Sequence, residues 1–270
     1  MDSNKRILII SNNALSLTSN NGKTLWSLFE DYPKKNLNQL FTREELPSLS
    51  INSYYRITNK DVLKGRISQK RRGGCINTVS STEQDKAYKV STPSIRRTSL
   101  NCLFRELLWF GGWKSKQLDD WIKTINPDIL FFVGGDTLYS YKICEYIANR
   151  TRASINVYIT DDYVCKRSKE NIFDYLKRRL VIKHLKKIIT KTNAFFTISE
   201  KMRFEYLSLL GKDSMPIFNI SEKLYRSEFD NEDKKNELLF IYTGSLYYGR
   251  DEILIEIAKK LSELSKTANI

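Results

Sequence analysis

The stretch 127-PDILFFVGGDTLYSYKICEYIANRTRASINVYITDDY-163 decides the fold. An apolar run, Ile129 to Val133, stops at Gly134-Gly135-Asp136. A helical pattern follows, and a second β-rich run, Ile155 to Ile159, stops at Thr160-Asp161-Asp162-Tyr163. Strand, helix and strand in so short a span make a βαβ unit, whose two strands must run parallel. Buried parallel strands read as short continuous apolar runs rather than alternating ones. In an open α/β sheet the ligand crevice lies at the carboxyl ends of the strands. The two strand ends are therefore read as parts of one site.

Upstream, Arg6 to Ile10 is a first strand, followed by a polar loop from Ser11 to Asn21 and a helix that starts near Gly22-Lys23. A polar loop leading into a helix N-terminus suits an anion. Gly22-Lys23-Thr24 looks like the tail of a phosphate-binding P-loop, but Leu17 stands where the upstream glycine is required, which excludes that motif. Asn36 to Thr42 reads as a second strand. From about 43 to 100 the chain is polar and basic, with QKRRGG (Gln69 to Gly74) at its peak, and reads as a long excursion from the sheet. Asn101 to Ile125 is helical, broken at Gly111-Gly112. Its cluster Trp109, Phe110 and Trp113 suits either the core or a membrane interface.

Downstream, a long helix spans roughly Glu170 to Thr192, with acids in its first turns and bases in the later ones, as the helix dipole favours. Lys177, Arg178, Lys183, Lys186 and Lys187 lie beside an apolar stripe. Two readings stand for such a helix: a cover for the sheet with a solvated basic face, or a dock for an anionic bilayer. A strand follows over Asn193 to Ile198. Ser199 is the N-cap and Gly211 the terminator of a helix from Glu200 to Leu210, and Pro216 to Ile220 is a short strand. Residues 221–237 read as a linker. A new βα unit then opens with a strand from Leu238 to Tyr242, the turn Thr243-Gly244-Ser245 and a helix from Asp251 to Leu264.

The charge narrows the partners. The formal net charge is +14, and two stretches carry it: Lys64 to Leu100 and Lys177 to Lys191 each hold a surplus of seven bases. Clustered positive charge implies an anionic partner. With one histidine, His184, and four scattered cysteines, neither a His/Cys zinc site nor a Ser-His-Asp triad is expected. The opening, MDSNKRILIIS, is too short in apolar residues for a signal peptide, and no run is long enough to span a bilayer.

In this layout the chain resembles the bacterial family 4 glycosyltransferases of the GT-B fold. The resemblance rests on RILIIS with NNGKTLWSLF, on LLWFGGWKSKQLDDWIKTINPDILFF, on INVYITDDY, on NAFFTISEKMRFEYLSLLG with PIFNIS, and on LLFIYTGSLYYGRDEIL. These occur in the family's order and cover most of the chain apart from the basic excursion. The resemblance implies an α/β fold: a Rossmann-like parallel sheet flanked by helices over residues 1–220 on the acceptor side, and a truncated second Rossmann-like unit over 238–270 on the donor side. It implies an enzyme that moves a sugar from a nucleotide-sugar co-substrate to a lipid-linked saccharide acceptor in cell-surface polysaccharide biosynthesis. The place of work would be the cytoplasmic face of the cell membrane, at an anionic membrane surface. No other cofactor and no nucleic acid are implied.

Carried over by residue, Gly22 would approach the donor phosphates beside Lys23 on the acceptor side. Asp161 and Asp162 would stand next to the reacting sugar, where the family's usual His is replaced by Thr160. Asp136 would face the acceptor. Gly244, Ser245 and Arg250 would contact the donor diphosphate, with Ser245 and Arg250 in place of the family's Arg and Lys. The family's paired glutamates would fall beyond residue 270, so a partner chain supplying the donor half is one expectation. Asp161-Asp162 is a pair and not a DxD triplet, so no metal requirement is expected. The competing reading is a non-catalytic basic module that docks on a membrane or a partner.

Overall fold

The structure, a computed structural model, describes residues 4–18, 20–67, 72–78, 99–165, 170–218, 240–244, 246 and 250–268. The chain divides into two compact units, Met1–Ile220 and Ser221–Ile270.

The first unit is an α/β sandwich on an eight-stranded, mostly parallel sheet of Rossmann type. Its strands are β1 (Ile7–Ser11), β2 (Leu37–Phe41), β3 (Ser53–Arg56), β4 (Gly74–Ile76), β5 (Ile129–Gly134), β6 (Ser154–Ile159), β7 (Thr192–Thr197) and β8 (Met215–Pro216), in the order β4-β3-β2-β1-β5-β6-β7-β8. All neighbours are parallel except β3 and β4. Strand order reverses between β1 and β5, which register Ile7 against Ile129 through Ile10 against Phe132. This is the topological switch point of a doubly wound sheet.

Seven α-helices accompany the strands in the described part of this unit: α1 (Asn20–Ser27), α2 (Asn59–Ile67), α3 (Ser99–Leu108), α4 (Lys116–Ile125), α5 (Leu138–Ala148), α6 (Ile172–Ile189) and α7 (Glu200–Leu210). Successive strand side chains point to opposite faces. In β1, Leu8 and Ile10 enter a core with Trp109, Trp113, Trp121, Tyr141, Leu185 and Tyr206 from the helices α3 to α7 and the turns beside them. Ile7 and Ile9 enter a smaller core with Leu25, Trp26 and Phe29 from α1 and the turn after it. The helix ends follow their sequence signals. Ser115 and Ser199 accept from the backbone N–H of Leu118 and Met202, and Gly211 ends α7 at φ 71°. An L side chain rarely adopts that φ, which is why glycine stands there.

Two expectations are corrected. The polar stretch from residue 43 is not wholly an excursion: β3 re-enters the sheet beside β2, and α2 and β4 follow it. Tyr54 and Tyr55 are both buried, the phenol of Tyr54 donating to the Leu49 carbonyl, so apolar burial here came from amphipathic residues that a hydropathy reading discounts. In the second unit, α8 (Arg250–Ala268) forms, but Phe240, Ile241 and Tyr242 lie exposed in irregular backbone and not in a strand. Residues 79–98 and the linker 221–237 lie outside the described residues, as does Ser245.

Candidate functional site at the switch point

A cleft of about 370 Å³ opens at the carboxyl ends of β1, β5, β6 and β7. Its wall is made by Ser11, Asn12 and Asn13 after β1, Asn21 and Thr24 of α1, Gly134 and Gly135 after β5, and Tyr158, Thr160 and Tyr163 at the end of β6. Leu25, Val133, Ile198, Ile217 and Phe218 complete it. Thus the two strand ends that opened the sequence reading share one cavity.

The β1 end of the cleft is held from β2. The Gln39 side chain is fully buried; its amide donates to Ser11 Oγ at 2.8 Å and to the Asn13 carbonyl at 2.9 Å, and its oxygen accepts from the Leu15 N–H at 3.0 Å. Glu45 accepts from Asn13 Nδ2 and from the Ala14 N–H, both at 2.8 Å, and Thr42 Oγ1 donates to Asn12 Oδ1 at 3.0 Å. None of these three residues was singled out from sequence. They act through the loop, and only the adjacency of β2 to β1 brings them there.

Gly22 is buried on α1, and a Cβ on it would lie 2.3 Å from the Ala14 carbonyl oxygen. The glycine lets α1 touch the loop, and so sets the Asn21 and Thr24 wall; Lys23 next to it is exposed. On the β5 side, the buried Tyr141 hydroxyl donates to the Gly135 carbonyl at 2.8 Å. Glu106 of α3 caps α5 by accepting from the N–H groups of Leu138 and Tyr139 at 3.1 and 3.2 Å. Burial raises the Glu106 carboxyl above its ordinary range despite these donors.

The acidic residues do not converge on the cleft. Asp136 pairs with Lys177 of α6 at 3.1 Å. The Asp161 carboxylate accepts from the Asp162 N–H at 2.8 Å, and Asp162 accepts from the N–H groups of Val164 and Cys165 at 3.2 and 3.0 Å. Both aspartates are exposed and shape the turn, while Thr160 and Tyr163 on either side of them line the cavity. Asp162, Cys165 and Glu205 bring one ligand-type atom each within 4.8 Å of one another. The thiol is pushed up to about 11, by burial first and then by the two carboxylates, so it stays protonated.

The basic residues also sort differently from the sequence reading. Lys177 and Arg178 do not face outward: their side chains are 20% and 16% exposed, Lys177 paired with Asp136, and Arg178 clamped on Glu170 at 2.6 and 2.8 Å. Helical spacing turns both toward the buried side of α6, next to Val181. Lys183, Lys186 and Lys187 are exposed, with Lys187 also 2.7 Å from Glu145. Gly244 and Arg250 belong to the second unit, where Arg250 opens α8. Among the described residues no helix is long and apolar enough to cross a membrane.

What the cleft offers chemically is a set of neutral donors and acceptors with aromatic faces. Three asparagines, Ser11, Thr24 and Thr160 supply amides and hydroxyls, and among the described residues no carboxylate, lysine or arginine lines it. Burial raises the Tyr158 phenol, which stays uncharged. Neither models of known protein families nor curated proteins match the chain.

Proposed function

We propose that the first unit is the acceptor-side domain of a GT-B-type glycosyltransferase of the bacterial family 4 kind. It would work at the cytoplasmic face of the cell membrane, moving a sugar from a nucleotide-sugar co-substrate to a lipid-linked saccharide in cell-surface polysaccharide assembly. The observation that carries this reading is the composition of the switch-point cleft. A saccharide presents many neutral hydroxyls and apolar ring faces; Asn12, Asn13, Asn21, Thr24 and Thr160 match the first, and Tyr158, Tyr163 and Phe218 match the second. Asp161, exposed at the rim, is the carboxylate proposed to meet the reacting sugar.

The test is titration calorimetry of the full chain with uridine diphosphate, a uridine diphosphate sugar and short oligosaccharides. Binding of a saccharide or nucleotide sugar, lost in Asn12→Leu and Thr160→Val proteins that remain folded, supports the reading. A folded chain that binds none of these ligands overturns it. A second reading is favoured by the engagement of the Asp162 carboxylate with two backbone N–H groups. It makes the cleft a saccharide-binding module without transfer. Binding without turnover in the presence of donor and acceptor would select it.

A further inference from the structure

Helices α3 and α6 lie side by side, and each carries an apolar stripe that no described part of the chain covers. On α3 and its last turn the stripe is Leu103, Phe104, Leu107 and Phe110, with Phe104 and Phe110 each 69% exposed. On α6 it is Ile172, Leu176 and Leu180, and the same helical face continues as Lys183 and Lys187. These positions recur at intervals of four, four, three and four residues, which is one side of an α-helix. The opposite side of α6 holds the buried Val181, Leu185 and Ile188. So α6 is apolar on two sides, and packing uses only one of them.

A charge pattern says what fits the other. From Tyr175 to Lys191 the chain has no acidic residue, and Arg179, Lys183 and Lys186 are exposed. Lys142 of α5 lies with its Nζ 4.7 Å from the centroid of the Phe110 ring, so a cation also stands at the α3 end. Exposed Phe, Leu and Ile rimmed by Lys and Arg is the pattern of a helix face that lies in a headgroup layer, with apolar side chains below the phosphates and ammonium groups among them. The two tryptophans that the sequence offered for such a role, Trp109 and Trp113, are core residues at 1% and 2% exposure; Phe110 between them is the one that points out.

We infer that the α3–α6 face docks the protein on an anionic phospholipid bilayer, seating Phe104, Leu107, Phe110, Leu176 and Leu180 at the acyl boundary. The inference extends the membrane part of the proposed function to a particular surface. It does not depend on what the cleft binds, because vesicle binding reads the surface alone.

The test is flotation of the full chain with vesicles of phosphatidylcholine, with and without phosphatidylglycerol. The wild type is expected to float only with the anionic vesicles. Phe104→Ser combined with Phe110→Ser, and separately Leu176→Gln combined with Leu180→Gln, should each lower vesicle partition about tenfold or more. Lys183→Glu with Lys186→Glu should do the same at low salt. All of these positions are exposed, so circular dichroism and melting temperature should not move. Absence of the wild type from anionic vesicles overturns the inference, as does flotation that all three variants retain. It is equally overturned if the apolar variants abolish a dimer seen by light scattering without changing flotation. Retention on nucleic acid that replaces vesicle binding would do so as well.

Discussion

Gln39 makes three bonds to the loop Ser11–Leu15 and does not itself line the cleft. Replacing it by leucine keeps the volume but strands the Leu15 N–H and removes two donors. An unpaired buried group costs the full desolvation penalty, so Gln39→Leu is expected to lose about 2–4 kcal/mol in urea unfolding and to weaken any cleft ligand with it. Nothing in LNQLF announces this role; a buried glutamine in a strand is visible, but its target is not, because the pairing of β2 with β1 is long-range. Gly22 shows the reverse case. Sequence marked it as special through its loop and helix start, and the structure gives a local steric reason, contact with the Ala14 carbonyl. The aspartates of Thr160-Asp161-Asp162 were found by position at a strand end. Their bonding to the next backbone N–H groups follows from Asx-type turn chemistry, which competes with any role in the cleft.

At the scale of elements, α5 and α6 are clasped by Glu145, which meets His184 Nδ1 at 2.6 Å and Lys187 Nζ at 2.7 Å. Burial alone would raise this carboxyl, but the bonds from Lys187 and His184 hold it below its ordinary range. A carboxyl with a lower pKa folded than unfolded adds stability above its unfolded value, about 4.3, and loses it as pH falls through the folded one. The Glu145→Gln protein should therefore melt below the wild type at neutral pH, with the gap closing as pH falls below about 4. Thermal melts at stepped pH check this, and a gap that stays constant removes the clasp from the account. The strands β1 and β5 were legible because buried parallel strands read as apolar runs, and β6 and β7 because their β-branched and aromatic residues cluster. The element β3 was not, since two tyrosines supply its burial. The basic stretch hid another use: Arg66 donates to the carbonyls of Leu107, Leu108 and Phe110, and Arg72 to those of Gly65 and Lys114. Both arginines cap backbone that the helix ends and turns leave open.

At the scale of the molecule, residues 1–220 form a compact unit that contains the whole sheet. A chain ending at Ile220 should therefore fold by itself. Its melting temperature should lie within about 4 °C of the full chain, the shift that 1 kcal/mol gives a unit of this size. A larger loss would mean that the first unit does not fold independently. The two rims of the sheet have a consequence of a different kind. One rim is β4, three residues long and antiparallel; the other is β8, two residues long and ending in proline, which has no N–H to donate. A long bare edge recruits other chains by ladder extension, the route to cross-β aggregates, and short or proline-bearing edges suppress it. Among the described residues both margins of the sheet are short, so its apolar strands offer little bare backbone for another chain to extend.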